Sequence, residues 1–176
     1  MFELRLHVMM PLKALVLGLA FLLTSYNAHT NFPVTQDCKI IGIVDGDTID
    51  CLINNKKVRV RLNAIDAPEK KQDYYTKSKE ALSQLCYGKN AKLIEHGHDR
   101  YRRLIADVYV KNERVNYKMV ELGMAWHFIK YSSDKKLAEL QEIARRNKKG
   151  LWSLPAPTAP WEYRAIKKSR QAGLAL

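Results

Sequence analysis

Four side chains in the stretch IVDGDTIDCLINNKKVRVRLNAIDAPE, residues 43–69, could do chemistry together: Asp47, Arg61, Asp66 and Glu69. Two carboxylates with a backbone carbonyl or two are what a hard cation such as Ca²⁺ or Mg²⁺ takes, water filling the remaining positions. Asp47 follows a turn and Asp66 ends a strand, so a hairpin path can bring them together. Glu69 is then a candidate base, able to take a proton from water as it attacks phosphorus. Arg61 lies on the strand that leads to Asp66, and Arg103 closes the run HGHDRYRR. Guanidinium groups present paired donors that suit a phosphate, which an ammonium cannot do. The chemistry such a set performs is phosphodiester hydrolysis with charge neutralised on the phosphoryl oxygens.

Asp45 either makes the turn only or stands behind the metal carboxylates. An EF-hand is excluded: with Asp45 as its first position, Asp50 stands where glycine is needed and Lys56 where the bidentate glutamate belongs. His96, His98 and Asp99 could hold zinc from one strand face, but a fourth ligand is missing and a solvated loop beside a polyanion site fits better. Arg59 and Arg100 read as solvated surface, and Arg102 is open between surface and site. No P-loop, G-x-S-x-G elbow or Cys-x-x-Cys occurs.

The elements that must carry these groups follow from turns and periodicity. Residues 39–44, 48–53 and 57–65 read as three strands, joined by Asp45-Gly46-Asp47 and Asn54-Asn55. Glycine at positive φ and turn-capping aspartate explain the first joint, and asparagine's tolerance of the left-handed region the second. Pro68 stops the third strand. A helix over 74–87, strands over 91–95 and 104–110, and helices over 115–122 and 134–147 complete the pattern, with Gly88, Gly123 and Gly150 at the helix ends and Asp134 as a cap. Mainly β, of α+β class, this order suits a five-stranded OB-type barrel with three helices, since closure removes exposed edges. The domain spans residues 36–153. Residues 154–176 form a Pro-rich strap and a basic tail, either a short helix or, over the last eight residues, a disordered end.

The chain has 176 residues, enough for one domain with a core, and thirty Lys and Arg against eighteen Asp and Glu, a net charge of +12. That excess favours polyanions, and beside a carboxylate cluster it points to nucleic acid. Residues 1–30 read as a signal peptide of uncertain cleavage site: cations at Arg5 and Lys13, the apolar run 14–23, then a small, polar stretch. The run is short for a membrane span. An exported protein, periplasmic or extracellular, with no integral span after cleavage is expected, monomeric and without a stable protein partner. Cys38 and Cys51 flank the first turn and could form a disulfide in an oxidising compartment. Counted outward from the turn, however, Cys38 faces a residue nearer Asn54, so a bulge would be needed. Cys86 reads as a buried free thiol.

The runs D45-G-D-T48, RVRLNAIDAPE ending at Glu69, and DRYRRL from Asp99 resemble the staphylococcal nuclease (thermonuclease) family, as do ELGMAW ending at Trp126 and KGLW ending at Trp152. The resemblance covers roughly residues 38–152, and PWEYR ending at Arg164 looks like an extension of exported bacterial members. It implies an OB-type barrel with three helices and Ca²⁺-dependent hydrolysis of DNA and RNA to 3′-phosphates, other divalent ions not being excluded. It implies Asp47, Asp66 and the backbone carbonyl of Ala67 as metal ligands, Arg61, Glu69 and Arg103 as catalytic residues, and Tyr101 and Tyr131 as substrate-binding residues. Ala67 stands where threonine is frequent and Arg102 where glycine is common. A catalytically silent OB-type module that only binds nucleic acid is the alternative, although such a module has no need of the full set of five charged residues.

Overall fold

Inward-facing apolar residues at period two fold the start of the described chain into a meander; the computed structural model describes residues 34–173. Strand β1 (Thr35–Ile43) buries Cys38 and Ile40, β2 (Thr48–Ile53) buries Ile49, Cys51 and Ile53, and β3 (Lys56–Leu62) buries Val60 and Leu62. Asn54 and Asn55 make the second turn at φ of 47° and 60°, the left-handed region expected of them. The expected signal peptide at 1–30 lies outside the described residues. Among the described residues no helix is long and apolar enough to cross a membrane.

The third strand is shorter than the pattern suggests. It stops at Leu62, and Ala64 turns the chain at φ 63° before a two-residue strand, β4 (Ile65–Asp66). Helix α1 (Tyr75–Cys86) leads to β5 (Asn90–His98), then β6 (Leu104–Val110), the short β7 (Glu113–Arg114) and α2 (Val115–Glu121). Strand β8 (Trp126–His127) pairs antiparallel with β4. Helix α3 (Lys135–Arg146) starts on Asp134, whose carboxylate accepts from the N–H groups of Lys136 and Leu137.

The main sheet runs β3-β2-β1-β5-β6-β7 and closes through a parallel β3–β6 ladder, Val60 facing Leu104 and Leu62 facing Ala106. The five long strands therefore form a closed OB-type barrel, as expected, with its core capped by Leu82 of α1, Met119 and Val120 of α2 and Leu137 of α3. The helix count differs. The tail is neither free nor disordered over its described part: α4 (Pro160–Gly173) is a fourth helix. Its first turn joins a second apolar cluster of Trp126, Ala144, Leu151, Trp152 and Ala159, against which Trp161 packs.

Candidate active site

The first hairpin turn is built to present Asp47. The Asp47 N–H donates to Asp45 Oδ1 at 3.1 Å, so Asp45 shapes the turn through its own carboxylate. Gly46 is not at positive φ, contrary to the reading from its type. It is needed for space: a Cβ there would overlap the Ser78 hydroxyl and stand 2.8 Å from the Ala67 Cβ. The Leu62 N–H donates to the Asp47 carbonyl at 2.8 Å, which ties the turn to β3.

Arg61 bridges the two aspartates. Its Nη1 lies 2.9 Å from Asp47 Oδ2 and its Nη2 3.0 Å from Asp66 Oδ1, with all three side chains largely buried. Asp47 also accepts from the Ala67 N–H at 2.6 Å and from Thr48 Oγ1 at 3.0 Å. Burial still pushes the Asp47 carboxyl up to about 7, against the pull of Arg61 and with Asp45 and Asp66 adding to the push.

The turn that aims Asp66 rests on residues that the pattern did not single out. Fully buried Asn116 of α2 donates through Nδ2 to the Asn63 carbonyl at 2.9 Å and accepts the Val108 N–H at 3.0 Å. Asn63 Nδ2 donates to Asp107 Oδ1 at 3.2 Å, and Asp107 pairs with Arg114 at 2.6 Å. A polar Asn116 on the inward face of an otherwise apolar helix stripe was the only sequence signal for this network.

Glu69 lies past Pro68, its N–H donating to Gln72 Oε1 at 3.0 Å and its carboxylate more than a third exposed. Its partner comes from the tail. Arg164 of α4 places Nη1 2.6 Å from Glu69 Oε1 and Nη2 2.8 Å from Asp66 Oδ2. Burial works against the Arg164 charge, but the hydrogen bonds to Asp66 and Glu69 outweigh it and its pKa is raised. The sequence had only placed this residue on a basic tail.

Arg103 approaches from the β5–β6 loop. Its Nη1 is 3.5 Å from Thr48 Oγ1, the hydroxyl that donates to Asp47, so the loop joins the site at its edge. Asp99 organises that loop. It accepts the N–H groups of Tyr101 and Arg103 at 2.8 and 3.0 Å and pairs with Arg103 Nε at 2.7 Å. Strand β5 continues through His98 across a bulge, so 96–98 is strand and not loop, and His96 Nε2 contacts Asp107 Oδ2 at 3.1 Å. Arg102 sits at φ 62°, the conformation that favours glycine there, and its side chain is exposed. Arg59 pairs with Asp50 and Arg100 with the Tyr101 hydroxyl. The exposed Tyr101 ring lies near the Arg103 guanidinium, 5.6 Å from ring centre to Cζ. Tyr131, also exposed, meets Phe128 edge-on, and Phe128 stacks on Trp161.

Asp47, Asp66 and the Ala67 carbonyl are hard oxygen donors on adjoining backbone, which fits Ca²⁺ or Mg²⁺. Among the described residues no three His, Cys, Asp or Glu side chains form a metal-holding group, so a cation here would draw on backbone and water for the rest. On the far side of the hairpin a bulge lies between Ile40 and Gly42, and Lys39 faces Leu52, one step beyond the Ile40–Cys51 pair. Cys38 and Cys51 are thus diagonal neighbours, two buried free thiols with Sγ atoms 2.6 Å apart. Cys86 is a buried thiol as expected, and burial pushes it up to about 12.

Residues 59–154 match the family model described as "Staphylococcal nuclease homologue". The chain is 40% identical over 161 residues to an "Uncharacterized endonuclease" of Haemophilus influenzae, covering 91% of this chain and 89% of that protein. It is 42% identical over 130 residues to an "Uncharacterized endonuclease" of Escherichia coli O157:H7, covering 73% and 85%. A "Micrococcal nuclease" of Shigella flexneri is 35% identical over 142 residues, covering 74% and 82%. With its barrel and its acid–arginine cluster, the chain belongs to the staphylococcal nuclease family.

Proposed function

We propose that the protein is a nuclease that hydrolyses phosphodiester bonds of DNA and RNA, depends on a divalent metal, Ca²⁺ first, and leaves 3′-phosphates. The observation that carries the reading is the Arg61 bridge: one guanidinium holds two buried carboxylates together at the barrel edge, with Glu69 beside the second. Asp47, Asp66 and the Ala67 carbonyl would hold the metal, which when bound supplies positive charge to a phosphoryl oxygen. Arg61 and Arg103 donate to the remaining phosphoryl oxygens and stabilise the charge that grows there. Glu69 takes the proton of the attacking water as its oxygen bonds to phosphorus. The P–O5′ bond breaks, the phosphate stays on the 3′ side, and the departing 5′ oxygen is protonated from solvent. Tyr101 and Tyr131 offer exposed rings that flank the bound nucleotide.

Residues 1–30 support export to the periplasm or beyond, and there a disulfide-bearing oxidant, itself reduced to a dithiol, can join Cys38 to Cys51. Cell fractionation and the mass of the protein without reductant test both. The reaction is tested with the mature protein on single-stranded DNA and on RNA, with Ca²⁺ and then with chelator, followed by analysis of the product ends. Cleavage that stops with chelator and leaves 3′-phosphates is expected. Binding without cleavage under every divalent ion overturns this reading in favour of a silent binding module.

A further inference from the structure

We propose that Arg164 is a third arginine of the site, one that sets the affinity for the divalent ion by competing with it for Asp66 and Glu69. The inference rests on the metal-dependent reading above.

The tail is built to bring this residue in. Gln72 Nε2 donates to the Thr158 carbonyl at 2.7 Å, and Ala159 and Pro160 are buried, so the strap is fixed just before α4 begins. Pro160 opens the helix, where its missing N–H costs nothing. Trp161 then stacks on Phe128, ring centres 5.2 Å apart and planes at 1°, and meets Trp126 edge-on. Arg164 follows three positions later and so shares a helix face with Trp161. The aromatic anchor and the guanidinium are set by one rigid turn.

The guanidinium takes up the ligand positions of Asp66. Arg164 Nη1 is 3.2 Å from Oδ1 and Nη2 2.8 Å from Oδ2, while Arg61 Nη2 already donates to Oδ1 at 3.0 Å. Both oxygens of this nearly inaccessible carboxylate are therefore engaged by arginine. Arg164 Nη1 also holds Glu69 Oε1 at 2.6 Å. A cation bonded to Asp66 at about 2.3–2.6 Å sits on the oxygens that Arg164 covers, and two positive charges crowded there repel, so ion and guanidinium compete for the carboxylate. Charge agrees with that exchange. With all three carboxylates ionised, Asp47, Asp66 and Glu69 against Arg61 and Arg164 leave one net negative charge, and departure of Arg164 leaves two, which a divalent ion balances. Arg61 is hemmed in on a strand at 14% side-chain exposure, whereas Arg164 at 41% has solvent to swing into. The apparent affinity for the ion is then reduced by the fraction of molecules in which Arg164 has left.

The test is calorimetric titration of Ca²⁺ into metal-free mature protein without nucleic acid, comparing wild type, Arg164→Gln and Arg170→Gln. Arg170 lies on the same helix, exposed, and controls for the loss of one positive charge. Thermal unfolding confirms that each variant is folded. Arg164→Gln should bind Ca²⁺ about fivefold tighter or more, and Arg170→Gln as wild type. Equal or weaker binding by Arg164→Gln, or equal tightening in both variants, overturns the assignment to Arg164 alone. Absence of Ca²⁺ binding in all three overturns it together with the metal-dependent reading.

Discussion

Nη2 of Arg164 stands 2.8 Å from Oδ2 of Asp66, across ninety-eight positions of sequence. Barrel and tail are therefore one structural unit at the site, and the join is the aromatic anchor of α4. Replacing Trp161 by Ala removes the stack on Phe128 and the edge contact with Trp126. A buried tryptophan truncation costs about 3–5 kcal/mol, and the partial exposure of Trp161 lowers that to about 2 kcal/mol. Urea unfolding should show that loss. Hydrogen exchange should show protection lost over residues 160–173 while the barrel strands keep theirs; retained protection there would mean that other contacts hold the helix.

Arg61→Gln leaves Asp47 and Asp66 facing each other without their shared cation. Removing one partner of a buried ion pair costs about 3–5 kcal/mol, because the remaining charge stays desolvated. In chelator at neutral pH, denaturant unfolding of Arg61→Gln should lose that amount. Ca²⁺ should restore part of the stability without restoring cleavage, since the phosphate donor is gone. A variant as stable as wild type would show that the aspartates do not need Arg61 to coexist.

What could be read from residue types alone was local. Asn54 and Asn55 at positive φ, Asp134 as a helix cap and the alternation of β3 are short-range chemistry, and they stand as expected. The break after Leu62 was hidden because Ala64 gives no hint of a left-handed backbone; Asn116 imposes it from α2. The barrel closes through a parallel ladder between β3 and β6, which no local pattern announces. Asp47, Arg61, Asp66 and Glu69 were legible because they crowd one stretch. Arg164 was not, because only the packing of Trp161 decides where its helix lies. The work of Asp99, holding Arg103 and two backbone amides, depends on a loop shape that composition does not reveal.

Glu69→Gln keeps the shape of the side chain and one acceptor oxygen but cannot take a proton near neutral pH. General-base help is worth about 10²–10⁴-fold, so kcat should fall within that range while binding of single-stranded DNA is retained. Fluorescence anisotropy with a labelled oligonucleotide separates the two quantities. An unchanged kcat would remove Glu69 from the role of base.

Asp134 gives the fold a pH dependence of known sign. Its Oδ1 accepts the Lys136 and Leu137 N–H groups, and its Oδ2 takes Arg114 Nη1 and the Tyr117 hydroxyl, both at 3.0 Å. Burial alone would raise its pKa, but the Tyr117 hydroxyl, the backbone amides and Arg114 together hold it below the ordinary value. A depressed carboxyl stabilises the fold above its unfolded pKa of about 3.9 and loses that contribution as pH falls through the folded value. Asp134→Ala should cost about 1–3 kcal/mol at pH 7, and the gap to wild type should narrow steadily from about pH 5 to pH 2. A gap independent of pH would leave the charge of Asp134 with no part in the cap.

Gly46 couples the hairpin to the rest of the site through empty space. The Cβ of an alanine there would overlap the Ser78 hydroxyl, and it would press on the Ala67 Cβ at 2.8 Å. Ser78 is itself tied down, its hydroxyl donating to the Met124 carbonyl at 2.7 Å on fully buried ground, so it cannot simply turn away. Ala67 carries the N–H that reaches Asp47 and the carbonyl that would face the metal. Overpacking of this kind costs about 1–3 kcal/mol. Gly46→Ala should lose that much in thermal or urea unfolding, and Ca²⁺ binding by calorimetry should weaken as Ala67 is displaced. Ser78 offers the internal check: the double variant Gly46→Ala with Ser78→Gly opens the space again and should recover a large part of both losses. If the double variant is no better than the single one, the requirement at position 46 lies in the backbone of the turn and not in its contact with α1.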